Sequence, residues 1–137
     1  MPEHKPTTTF IDPQHPNVIV IEFATGNTWG EIFAAFDEEK RLAQEMSRPV
    51  GIIMDIRHAP DPPDNTTLGR AQQLFRGQPL NIKLWVLCGG SGFSKVVAMI
   101  MRNAKMVNME FAPTLDSAFA LIETRLAANA GHGSGSK

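Results

Sequence analysis

Residues 17–56 read NVIVIEFATGNTWGEIFAAFDEEKRLAQEMSRPVGIIMDI, and this stretch decides the fold class. It begins and ends with near-continuous apolar runs, NVIVIEF and VGIIMDI, which are typical of strands covered on both faces. Between them, apolar residues recur at helical spacing, and Thr28 followed by Glu31 predicts a capping box at the start of the helix. A strand–helix–strand unit of this kind predicts parallel pairing with a right-handed crossover.

The same alternation continues along the chain. The predicted strands are Thr7–Ile11, Asn17–Phe23, Val50–Ile56, Leu80–Leu87 and Met106–Phe111, and the predicted helices are Thr28–Arg48, Thr66–Arg76, Phe93–Lys105 and Thr114–Ala128. The order β-β-α-β-α-β-α-β-α predicts an α/β fold with a single, mostly parallel sheet of about five strands and four helices. The loop between the first two strands is too short for a crossover, so the first strand is predicted to be an antiparallel edge strand.

Length and composition define the class of protein. The 137 residues suit one domain, which we place at residues 7–128, and a hydrophobic fraction of 42% is enough for a core. Residues 1–6 predict a flexible arm, and residues 129–137 (NAGHGSGSK) predict a flexible tail whose GSGS is typical of an expression remnant.

Charge and hydropathy exclude several functions. Thirteen basic residues balance fourteen acidic ones, so no broad basic field favours a nucleic-acid binder. No apolar run approaches the ~20 residues that cross a bilayer, which argues against stable membrane insertion. A single cysteine cannot form an internal disulfide, and we expect a cytoplasmic protein.

A glycine-rich turn after the fourth strand is the first candidate site. Its amides, hydroxyls and ammonium group suggest a ligand or anion site at a helix N-terminus, formed by Gly89, Gly90, Ser91, Gly92, Ser94 and Lys95. The spacing fits neither a Walker A loop nor a dinucleotide fingerprint. The alternative is a tight turn that needs positive φ, with Ser91 or Ser94 as a helix cap.

Two threonines before the second helix form a weaker candidate. A phosphate on Thr66 or Thr67 would meet the positive end of that helix, which suggests a phosphorylation switch. The simpler interpretation makes Asn65 or Thr66 an ordinary N-cap.

Acidic and histidine residues cluster together in the sequence only in and beside the loop after the third strand. Its potential ligands are Asp55, His58, Asp61 and Asp64. They lack the i, i+4 spacing of a zinc site, so we interpret the loop as a solvated surface without a metal.

Cys88 ends an apolar strand and is predicted to be an inert small hydrophobe. The sequence contains no recognisable Ser-His-Asp or Cys-His set, and we predict neither an enzyme nor a cofactor.

The predicted helix at residues 93–105 contains six consecutive apolar residues. The stripe that the sheet requires is formed by Phe93, Val97, Ile100 and Ala104. That choice places Val96, Met99 and Met101 near the surface, where they suggest a partner interface. The alternative is a helix that other elements bury more deeply.

The layout of residues 7–128 resembles the STAS family, the domain of bacterial anti-sigma-factor antagonists, and its SpoIIAA-like relatives. The strand Ile52–Ile56 resembles the family's apolar strand that ends in an Asp, and Ile82–Leu87 resembles the strand before its third helix. The turn Pro113–Ala118 is similar to the family's closing turn. The family's Asp-Ser-Ser-Gly or Asp-Ser-Thr-Gly turn is replaced here by Asp64-Asn65-Thr66-Thr67, which argues against a kinase-switched role.

The resemblance implies a non-enzymatic regulatory module of bacterial origin. Such a module acts by association with another protein or with itself, and we expect a homodimer. The alternative function is a small-ligand sensor that binds a nucleotide, a phosphate or a lipid at the Gly89–Lys95 turn.

Overall fold

The structure is a computed structural model that describes residues 6–59, 67–89, 98–99, 102 and 107–135. Its strands are β1 (Thr8–Ile11), β2 (Val18–Glu22), β3 (Val50–Asp55), β4 (Ile82–Cys88) and β5 (Met109–Ala112). Its helices of at least two turns are α1 (Trp29–Glu45), α2 (Leu68–Leu74) and α3 (Leu115–Gly135).

All five strands form one sheet in the order β1-β2-β3-β4-β5. β1 pairs antiparallel with β2, and the remaining neighbours pair in parallel. The predicted α/β class, the mostly parallel sheet and the antiparallel edge strand are therefore confirmed. The predicted helix at residues 93–105 lies largely outside the described residues, although Ala98, Met99 and Arg102 are helical.

Helices cover the two faces of the sheet unequally. On the first face, side chains of α1 and α2 share one buried cluster with Ala98 and with alternate strand residues such as Ile52 and Trp85. On the second face, Val20, Ile53 and Val86 pack with α3 residues including Ile122. The strands β2 to β5 are neighbours in the sheet in chain order, so crossovers of the same hand place the connecting helices on the first face. The helix after β5, α3, lies on the second face.

The helix ends differ from the predicted ones for local reasons. Thr28 caps α1 as predicted, since its Oγ1 accepts a hydrogen bond of 3.2 Å from the Glu31 N–H. The helix ends at Glu45 rather than at Arg48, because Ser47 takes a positive φ of 28° that interrupts the helical backbone. α3 continues to Gly135, beyond the predicted end at Ala128.

Gly51 in β3 allows α3 to approach the sheet. A Cβ atom at this position would collide with the side chain of Ile122, which is completely buried. This contact fixes the position of α3 over the middle of the sheet and, through it, the start of α3 at the carboxyl edge of the parallel strands.

Candidate functional site

The last residues of the four parallel strands form a row at one edge of the sheet. The pairing register aligns Glu22 with Asp55, Asp55 with Cys88, and Cys88 with Ala112. Asp55 and Cys88 are both buried, at 1% and 0% exposure. A carboxylate and a thiol therefore sit next to each other where the strands end.

Arg57 neutralises the buried carboxylate in this row. Its Nε donates to Asp55 Oδ1 and its Nη2 donates to Asp55 Oδ2, each at 2.9 Å, and its backbone N–H donates to Oδ1 at 3.1 Å. Burial alone would raise the pKa of Asp55, but the hydrogen bonds and charge of Arg57 outweigh it and lower that pKa below 3.8. The Arg57 side chain stays 34% exposed, so part of the guanidinium faces solvent.

Gly89 packs directly on Arg57. A Cβ at Gly89 would lie 2.8 Å from Arg57 Cγ and 3.1 Å from Arg57 Cα, and the glycine has a φ of +85°. Its N–H donates to Ala112 O at 3.1 Å, while the Ile56 N–H donates to Cys88 O at 3.0 Å. Gly89 has the positive φ that the turn interpretation requires, and it places the start of the glycine-rich segment against Arg57.

Gly89 lies where the chain changes from one face of the sheet to the other. After β4 the chain passes to the first face, where Ala98 is buried with α1 and α2, whereas after β5 it passes to the second face as α3. Connections that leave adjacent parallel strands in opposite directions create a crevice at the carboxyl edge, which is where open α/β sheets bind ligands. Gly89 and Pro113 are the first residues after β4 and β5, so they lie at the edge where this rule predicts a ligand.

Cys88 is not activated in this setting. Burial raises the pKa of its thiol, the charge of Asp55 raises it further, and the nearby Arg57 lowers it only in part. The thiol form therefore dominates at neutral pH, and the prediction of an inert small hydrophobe is consistent with a cysteine that packs among the residues of the second face.

Three of the predicted site residues lie in the described part of the chain. Gly89 packs on Arg57, Met99 is 43% exposed, and Thr67 caps α2 by accepting a hydrogen bond of 3.1 Å from the Arg70 N–H. The remaining predicted site residues fall outside the described ranges, and they are Thr66, Gly90, Ser91, Gly92, Ser94, Lys95, Val96 and Met101.

Two details of the predicted sites differ in the structure. The N-cap of α2 is Thr67 rather than Asn65 or Thr66, since α2 begins at Leu68. Ala98, which lies outside the predicted inward stripe of its helix, is buried at 6% exposure.

The acidic loop also needs a correction. Asp55 does not belong to a solvated loop, because it ends a buried strand and is paired with Arg57. His58 is exposed, and its carbonyl accepts a hydrogen bond of 2.6 Å from Thr25 Oγ1. Asp61 and Asp64 lie outside the described residues, and among the residues described no three side chains cluster as metal ligands.

Sequence reasoning missed the role of Arg57. The signal was present, since an Asp that ends an apolar strand and is followed two residues later by an Arg can form a pair across the turn. The sequence alone does not distinguish this arrangement from two solvated charges.

A second missed residue is Glu39, on the inward side of α1. Its exposure is 0%, and neither of its carboxylate oxygens has a hydrogen-bond partner among the described residues. Burial raises its pKa to about 8, and the nearby Gln78 amide, Lys40 and Asp37 modify this value without reversing it. The Gln78 Oε1 is also buried and has no hydrogen-bond partner among the described residues.

Comparisons with known proteins leave the family open. Neither a family model, nor a curated protein, nor a solved structure matches this chain. Across the described ranges, each helix is too short or too polar to cross a membrane.

Proposed function

We propose that this chain is a non-enzymatic, STAS-like regulatory module that acts by association with another protein or with a second copy of itself. The association surface consists of α2, the helical segment around residues 93–105 and the loops before them. The bacterial origin of such a module rests on the family resemblance and its cytoplasmic location on the single cysteine of the chain, and both form part of the proposal.

The exposure of Met99 carries this proposal. Its neighbour Ala98 is buried in the cluster of the first face, whereas 43% of Met99 remains accessible. The helix thus presents a flexible apolar side chain to solvent on the same side of the sheet as α2. Methionine suits adaptable protein contacts because its unbranched thioether packs against surfaces of different shape.

The state of the polar groups in the buried row supports association over catalysis. The Asp55 carboxylate is held by Arg57, and the pKa of Cys88 is raised, so neither group is prepared to act as a base or a nucleophile at neutral pH. The mixed sheet with its antiparallel edge strand agrees with the STAS-like layout.

Native mass spectrometry of the freshly purified chain tests the association. We expect a dimer that the substitution Met99→Glu converts to a monomer without lowering the melting temperature by more than about 2 °C. Leu80→Glu is the matched control, because Leu80 is 92% exposed and lies in the connection between α2 and β4, outside the proposed surface. A monomeric parent chain, or a dimer that survives Met99→Glu, would contradict self-association through this surface.

The carboxyl edge of β4 and β5 favours a second candidate function, a sensor for a nucleotide, a phosphate or a lipid at the Gly89–Lys95 turn. Its support is the change of faces after β4 and the partly exposed guanidinium of Arg57 against Gly89. The Nη1 group of Arg57 is not used by Asp55, so its N–H groups are suited to an anion at this edge.

Thermal unfolding with inorganic phosphate, AMP or a fatty acid tests the sensor. A ligand that binds the native state raises the melting temperature in a concentration-dependent manner, and Lys95→Ala and Gly90→Val should abolish that increase. If none of the three compounds changes the melting temperature, this second function is wrong, whatever the oligomeric state.

A further inference from the structure

The outer edge of β5 is a site that the proposed function does not use. β5 is the last strand of the sheet, and among the described residues no strand pairs with its outer side. Its inner side accepts hydrogen bonds at Asn108 O, 2.8 Å from the Trp85 nitrogen, and at Ala112 O, 3.1 Å from the Gly89 nitrogen. Alternate residues of a parallel strand face the same neighbour, so Met109 and Phe111 direct their N–H and C=O groups outward.

Positive side chains flank this edge from both faces of the sheet. Arg102 lies over the ring of Phe111, with its guanidinium carbon 5.5 Å from the ring centroid, on the first face. On the second face, Arg125 Nη2 lies 3.2 Å from Glu110 Oε2. Both arginines stay at the surface, and they bracket the outward-facing backbone of the strand.

A cleft of about 250 Å³ joins these groups. The described residues that line it include three cationic side chains, Lys83, Arg102 and Arg125, and a single carboxylate, that of Glu110. The formal charge of this lining is therefore positive, although the whole chain carries −1. The opposite edge strand, β1, has the sequence TTFI and contains no charged residue.

We propose that the outer edge of β5 binds an extended acidic peptide segment of another protein, which adds to the sheet as a further strand. The main-chain groups of Met109 and Phe111 supply the hydrogen bonds, and the three cations select acidic side chains on either face of the added strand. A second copy fits less well, because pairing two β5 edges would bring their cationic side chains together. This proposal does not depend on the surface around Met99.

Peptide binding to the full-length, ¹⁵N-labelled chain tests the proposal. The probe is the capped heptapeptide Thr-Glu-Glu-Thr-Glu-Glu-Thr, which places two glutamates on each face of an added strand, and its control is the same peptide with every backbone amide N-methylated. We expect the probe to bind and to slow hydrogen exchange of the Met109 and Phe111 amides, whereas the methylated peptide should not bind. The methylated peptide keeps its negative charges but cannot donate backbone hydrogen bonds, so the comparison separates strand addition from simple ion pairing.

Charge reversal provides the second readout. The double variant Arg102→Glu, Arg125→Glu should weaken probe binding by about tenfold or more, since two attractions become repulsions. Arg76→Glu, at an exposed arginine after α2, should change the affinity by less than about twofold. Unchanged circular dichroism and melting temperature establish that each variant is folded.

Three results would overturn the proposal. Absence of probe binding would mean that the cations only protect the edge against unwanted strand pairing. Equal binding of the methylated peptide would reduce the interaction to ion pairing. Slow exchange of the Met109 and Phe111 amides in a dimer of the chain alone would assign the edge to a second copy.

Discussion

Arg57 holds the buried carboxylate of Asp55 with two side-chain hydrogen bonds of 2.9 Å, across a turn of only two residues. The same arginine packs against Gly89, which begins the glycine-rich segment after β4. One side chain therefore neutralises the end of β3 and packs on the first residue after β4.

The substitution Arg57→Leu should lower the free energy of unfolding by roughly 3 kcal/mol, because it leaves a carboxylate of 1% exposure without a cation. Arg41→Leu is the matched control. Arg41 bridges the exposed residues Glu38 and Glu45 on α1, so its loss should lower the free energy of unfolding much less than the loss of Arg57. Urea unfolding monitored by tryptophan fluorescence measures both values, and equal losses would contradict the role given to the buried pair.

Acid should weaken the same pair. The folded-state pKa of Asp55 lies below its ordinary value of 3.8, so the stabilisation is complete above that value and is lost as the pH falls through the lower folded pKa. In Arg57→Leu burial raises the folded pKa of Asp55 instead, so this loss of stability on acidification should disappear. Unfolding curves from about pH 5 down to about pH 2 measure the difference between parent and variant.

Replacing Gly89 should disturb Arg57 as well as the turn. Gly89→Ala combines a left-handed φ of +85° with a Cβ only 2.8 Å from Arg57 Cγ. Gly26→Ala isolates the first effect, because Gly26 has a φ of +76° but no atom within 4 Å of a Cβ. We expect a loss of about 1 kcal/mol at Gly26 and of roughly 2–4 kcal/mol at Gly89. Similar losses in thermal unfolding would show that the contact with Arg57 is easily relieved.

Glu39 should make the protein less stable at alkaline pH. Its pKa is raised from 4.5 to about 8 in the folded state, so the native protein binds more protons than the unfolded chain between these values. The free energy of unfolding therefore falls as pH rises through this range, by at most roughly 5 kcal/mol, and changes little from this group above it.

The variant Glu39→Gln tests this origin of the pH dependence. A neutral amide of nearly the same shape should remove most of the slope between about pH 5 and about pH 8, measured by urea unfolding at several pH values. Glu45→Gln, at an exposed position of the same helix, should leave the slope unchanged. A slope that persists in Glu39→Gln would assign the effect to other groups.

Cys88 should react slowly with an aromatic disulfide reagent while the protein is folded. Its thiol is fully buried and its pKa is raised by burial and by Asp55, so both access and the thiolate fraction are low. We expect a rate at least about 100-fold below that of the chain in urea. A rate close to that of the unfolded chain would show that the end of β4 opens readily.

The alternation of strands and helices could be predicted because its signals are local. Apolar runs such as VIVI in β2 and GIIM in β3 indicate buried strands without knowledge of their neighbours, and Thr28 marks the start of α1 within its own first turn. The short first connection likewise required an antiparallel edge strand. Helix ends were less predictable, since Ser47 ends α1 through a backbone angle that the sequence does not reveal.

The candidate sites depended on contacts between distant segments. The chain by itself determined the α/β class, the mixed sheet and the positive φ at Gly89, because burial periodicity and turn chemistry act over a few residues. Only the tertiary structure decided that Asp55, Arg57 and Gly89 meet and that the Glu39 side chain is buried beneath α1. The same is true of the arginines that flank β5 from both faces of the sheet. Those outcomes follow from strand register and helix placement, which bring together residues far apart in sequence.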